Sequence, residues 1–185
     1  YVYAGSGVDH NIGGSLSITA PSAGPGDVVQ IDGFGQSFTV GGDVVLDAGA
    51  GTLLVDTDFN PPGVGPNIPG DLTLASGQAA TIDLAPLVVG GAMLVQGAGA
   101  MTIDTDVTVE GAGGLTVTNG GLTLAGDIDV TAGAAAVTST GPVEVGVAFL
   151  DEGGSVYAFV GSVTAAGGIG IASDAGIEIL GDTIA

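Results

Sequence analysis

Lysine and arginine do not occur anywhere in the 185 residues, against 20 aspartates and glutamates, so the formal charge is −20 and the sequence pI is near 4.1. A domain of this length, with about a quarter of its residues charged, would hold roughly 20 basic side chains. Their absence argues against nucleic acid as a partner, because phosphate backbones are held by Lys and Arg displacing counterions. Anionic lipid headgroups are repelled for the same reason. A site that needs a fixed cation must take it from a metal ion. Cysteine is absent too, which excludes disulfides and thiolate metal sites. With no Trp, five Phe and three Tyr, the core must be aliphatic and thin. No membrane span is expected. The longest apolar run, Leu84 to Met101, holds Pro86 and glycines at 90, 91, 97 and 99 and has no basic flank.

What the chain does contain is glycine, 37 residues of it, and enough aliphatic surface for a mean hydropathy of +0.62, so it folds despite its acidity. Leu16-Ser17-Ile18, Val44-Val45-Leu46, Leu72-Thr73-Leu74, Leu115-Thr116-Val117 and Ile177-Glu178-Ile179 alternate with period two between Gly- and Asn-containing breaks. Such alternation reads as strands and turns, and no helical period competes with it. The strands recur. Thr81, Thr102 and Thr123 lie 21 apart, as do Val88, Val109 and Val130. Leu72/Leu74, Met93/Val95 and Leu115/Val117 form a third track, reached from Leu16/Ile18 and Val44/Leu46 by steps of 28. Proline-rich stretches at 21–26 and 61–70 account for the longer steps as loops bulging from a turn. Downstream the track loosens through Val137, Val156 and Ile177.

A 21-residue period with three short strands predicts an all-β fold, a right-handed parallel β-helix (β-solenoid) of about 21 residues per turn and roughly eight turns. At about 4.8 Å per turn that is a rod near 40 Å long. An antiparallel sandwich or barrel is the competing fold, but few Asn-Gly or Asp-Gly hairpin signals support it. Residues 14–185 are expected to form one solenoid carrying the two Pro-rich loops, with residues 1–13 an N-terminal stub that pairs with a neighbour. The texture of the stretch Gly114 to Asp127, Gly-Leu-Thr-Val-Thr-Asn-Gly-Gly-Leu-Thr-Leu-Ala-Gly-Asp, resembles the β-solenoid shafts of filamentous-haemagglutinin-type adhesins and other large repetitive bacterial surface proteins. That resemblance implies a secreted or cell-surface structural role and carries over no functional residue.

Three D-x-D pairs stand out: Asp56/Asp58, Asp104/Asp106 and Asp127/Asp129. Alternation along a strand would set two carboxylates on one face about 7 Å apart, half of a Ca²⁺ shell to be completed by turn carbonyls or a second chain. The plainer reading is a solvated acidic edge. Asp104 and Asp106 also meet the formal need of glycoside hydrolysis for paired carboxyls, but the chain lacks the basic and aromatic residues of a sugar groove, so no enzyme activity is expected. His10 has no second ligand or nucleophile beside it and reads as a surface residue. The threonine rank 81, 102, 123 is too shallow for an ice-binding face. Neither end of the repeat reads as capped. Tyr1, Val2 and Tyr3 at one end and Ile177, Ile179, Leu180 and Ile184 at the other are the expected self-association residues. The function expected is an extracellular building block stacking end to end into a surface fibre, with itself as partner and Ca²⁺ as stabilising ion. The alternative is an adhesin whose Pro-rich loops contact a partner surface.

Overall fold

A computed structural model describes residues 2–3, 10–59, 68–82, 86–150, 156–160, 162–180 and 183–184. Every described regular element is a strand. They belong to a nine-stranded, a seven-stranded and a five-stranded sheet, all parallel, and one two-stranded antiparallel hairpin.

The chain visits the three large sheets in rotation. Leu72–Ser76 joins the seven-stranded sheet, Ala80–Ile82 the nine-stranded and Leu87–Val89 the five-stranded. The next pass repeats the order with Met93–Gly97, Ala100–Ile103 and Val107–Val109, and the following one with Leu115–Asn119, Gly121–Leu124 and Ile128–Val130. Each strand lies beside its counterpart from the pass before. Leu72 pairs with Met93 and Met93 with Leu115, while Thr81, Thr102 and Thr123 are adjacent in the nine-stranded sheet. The 28-residue steps are also real neighbours, Leu16 beside Val44 and Val44 beside Leu72. Residues 20–27 form the longer connection between Leu16–Thr19 and the 13-residue strand Val28–Val40; most of the second Pro-rich stretch lies outside the described residues.

Two sequence tracks are corrected. In the five-stranded sheet Val89, not Val88, aligns with Val109 and Val130; Val89 is buried whereas Val88 is only partly covered. Two adjacent valines made the spacing ambiguous by one residue, and a one-residue slip exchanges the two faces of a strand. The downstream track mixes three sheets. Val137 pairs with Ile171, Val156 with Leu150 in the hairpin, and Ile177 with Val143. The apolar run Leu84 to Met101 is divided among strands of all three sheets, and no helix among the described residues is long and apolar enough to cross a membrane.

Alternation turns every second side chain inward, and those of the three sheets form one continuous cluster. Its buried members among the described side chains are Val, Ile, Leu, Ala and the methionines Met93 and Met101. Removing a Val, Leu or Ile side chain from water contributes about 1.5–3 kcal/mol, so the cluster is the main stabilising term. Small corners let successive passes approach. A Cβ on Gly141 would overlap the carbonyl of Gly120 in the pass before, and Gly114 combines φ +66 with the same kind of contact against Ala134.

Candidate functional site

Three features hold the chemistry-bearing residues: the corners between strands, the polar ends of the seven-stranded sheet, and the last pass.

At the corner leading into the seven-stranded sheet, aspartates tie one pass to the next. The Asp43 backbone N–H donates to Ser15 Oγ at 3.1 Å, that of Asp71 to Asp43 Oδ1 at 2.9 Å, and that of Ala92 to Asp71 Oδ1 at 2.8 Å. The corner before the five-stranded sheet repeats the device. Asp127 N–H donates to Asp106 Oδ1 at 2.9 Å, and the hydroxyl of Ser162 donates to Asp127 Oδ1 at 2.9 Å. Two residues along the same pair of passes, the Thr164 hydroxyl donates to Asp129 Oδ1 at 2.6 Å. A carboxylate just before a strand reaches the N–H one rung away, a charge-assisted bond stronger than a neutral one.

This arrangement bears directly on the D-x-D pairs. Asp104 and Asp106 are not on one strand face, since Asp104-Thr105-Asp106 is the connection between Ala100–Ile103 and Val107–Val109, with Thr105 buried between two exposed carboxylates. The spacing could not tell a strand from a corner. Asp127 precedes its strand and Asp129 lies within it. Across passes Asp106 meets Asp127, whereas the Asp104 N–H donates to the Ile82 carbonyl and Asp129 lies beside Thr108 and Thr164. The backbones of Asp56 and Asp58 lie in Thr52–Phe59, opposite Asp32 and Ser37; their side chains are outside the described residues. Among the described residues no three His, Cys, Asp or Glu side chains converge where a metal ion would sit.

A buried polar column at the ends of the seven-stranded sheet escaped the sequence reading. Ser76, Asn119 and Ser139 are buried there, Asn119 beside Ser139 and Ser139 beside Ser173. Their polarity in an inward position was the available signal. Ser76 Oγ lies 2.9 Å from the Gly51 and Ala79 carbonyls, and Ser173 Oγ donates to the Gly141 carbonyl at 2.7 Å. These hydroxyls satisfy corner carbonyls that strand pairing leaves over. Asn119 is the exception, with neither its amide nitrogen nor its oxygen hydrogen-bonded.

Among the described residues no strand pairs beyond the last pass. Ile169–Ser173, Ile177–Ile179 and Thr183–Ile184 are the terminal strands of the seven-, nine- and five-stranded sheets. Ile177 and Ile179 are 46% and 47% exposed with Glu178 between them, and Leu180 is half-buried, its N–H bonded to the Val145 carbonyl. At the other end, Val2–Tyr3 pairs with Ile31 and Asp32 of its own chain, and His10–Ile12 with Phe38 to Val40. Tyr1 and the side chains of Val2, Tyr3, His10 and Ile184 fall outside the described residues. The threonine rank ends after three passes, continuing as Glu144 and Glu178.

The fold therefore defines an all-β protein of stacked parallel strands. Compared with models of protein families, with curated proteins and with solved structures, the chain has no match.

Proposed function

We propose that the three sheets wind as a right-handed parallel β-solenoid and that this solenoid is an extracellular structural unit, stacking end to end into a fibre. The observation that carries the reading is that the three ladders run in step to the last described pass, where no described strand pairs beyond Ile169–Ser173, Ile177–Ile179 and Thr183–Ile184 and Ile177 and Ile179 are exposed. Unpaired parallel edges are templates for further strands, and another unit set on them would extend all three ladders at once while covering the isoleucines. Nothing in this reading asks for catalysis. The corner aspartates serve to hold passes together, and Ca²⁺ enters as a neutraliser of an anionic surface that has no cation of its own.

Sedimentation of the native chain and of an Ile177→Asp/Ile179→Asp variant tests the proposal. Mass should grow with concentration for the native chain and not for the variant. A native chain that stays monomeric at every concentration, or a variant that grows equally, would overturn it.

A further inference from the structure

Among the described side chains, Asn119 alone is buried with its polar atoms unbonded: it is 3% exposed, and neither its amide nitrogen nor its oxygen has a partner. The residue after it is Gly120. Asparagine also occurs at 11, 60 and 67, followed there by Ile12, Pro61 and Ile68, so 119–120 is the one Asn-Gly pair of the chain. Of all asparagine dipeptides this one loses its amide most readily, because a glycine nitrogen has no side chain to shield it and turns freely toward the asparagine carboxamide. Stacking demands the glycine, since a Cβ on Gly120 would overlap the Ala98 carbonyl of the pass before. It does not demand the asparagine, whose register neighbour in the next pass is Ser139.

The peptide unit joining the two residues is pinned from both sides. Its carbonyl, that of Asn119, accepts the Thr140 N–H of the next pass at 3.0 Å, and its N–H, that of Gly120, donates to the Gly99 carbonyl of the pass before at 3.0 Å. A nitrogen held in this way keeps its proton and its orientation and cannot attack. The carboxamide beside it is under no such restraint, because no hydrogen bond fixes it. Parting of the passes frees the nitrogen and admits water together, and local openings of that kind cost less than unfolding the whole chain.

We propose that Asn119 is a self-modification site, closed while the passes are stacked and converted irreversibly once they part. In the open chain the Gly120 nitrogen gives up its proton and bonds to Asn119 Cγ, the Cγ–Nδ2 bond breaks, and the amide leaves as ammonia with that proton. Water then opens the five-membered imide at either carbonyl, giving aspartate or, with the main chain rerouted through Cγ, isoaspartate. Neither product suits the closed pass. A carboxylate there is buried beside Ser139, with no Lys or Arg in the chain to pair with it. Isoaspartate adds a backbone atom and throws the residues that follow out of register with their neighbours. A chain that has opened at this pass is thereby marked and kept from closing as before. The inference does not depend on end-to-end stacking and survives if that reading fails.

The test follows the 111–144 peptide, which a glutamate-specific protease releases by cutting after Glu110 and Glu144 and in which Asn119 is the only amide side chain. The native chain is held in mildly alkaline buffer, with and without enough guanidinium chloride to abolish its strand signal in circular dichroism. The peptide is then resolved by chromatography and weighed by mass spectrometry. In denaturant it is expected to gain the mass of NH exchanged for O and to divide into aspartyl and isoaspartyl forms, at least about tenfold faster than in buffer. Equal rates would overturn closure by the stacked passes, and a peptide unchanged in denaturant would overturn the site. The Asn119→Asp variant checks the consequence separately. Melting below the native chain, or failure to fold, is the expected result; melting at or above it would overturn the marking.

Discussion

Asp71 shows how an exposed aspartate acts as a strut between passes. Its Oδ1 accepts the N–H of Ala92 in the next pass while its own N–H is taken by Asp43. If acceptance matters more than charge, Asp71→Asn should melt at or above the native temperature at low salt, and Asp71→Ala below it; equal melting of the two variants would contradict this. Asn119 makes the opposite case. Its buried amide lacks any partner, a loss worth about 1–3 kcal/mol, whereas the serines in the same column bond corner groups. Asn119→Ser is therefore expected to raise the melting temperature, read by calorimetry. Neither role was legible from spacing alone, because Asp71 stands in no D-x-D pair and meets Ala92 only through the stacking of passes, and the burial of Asn119 depends on which face of its strand turns inward.

Among the elements, the regular strands were the legible part. Leu72, Met93 and Leu115 are register neighbours as their spacing foretold, because parallel stacking places equivalent residues of successive passes side by side. The hairpin was hidden by an accident of numbering. Val156 stands 21 before Ile177, so an antiparallel strand mimicked the rhythm of a sheet it does not enter. Glycine at close corners is the matching local requirement. Gly141→Ala should destabilise strongly, since its Cβ has only the Gly120 backbone to displace, whereas Gly26→Ala meets nothing within 4 Å and should leave the melt unchanged. Urea titration of the two variants checks the contrast.

Over the whole molecule, parallel register has an electrostatic cost. It sets like beside like: Glu144 next to Glu178 and Asp106 next to Asp127. With a net charge of −20 and no basic side chain to intervene, these rows repel one another and their images in other copies. Salt screens such repulsion over about 10 Å at 0.1 M, so the melting temperature should rise with sodium chloride, and association should rise more steeply with Ca²⁺ at matched ionic strength. A melt and a sedimentation profile indifferent to both would remove the electrostatic part of the account. The most direct measurement of its central claim is fibre diffraction from oriented assemblies of the native chain. End-to-end stacking of wound passes predicts a reflection near 4.8 Å along the fibre axis, because the strands then lie across it; the same reflection at right angles to the axis would contradict the claim.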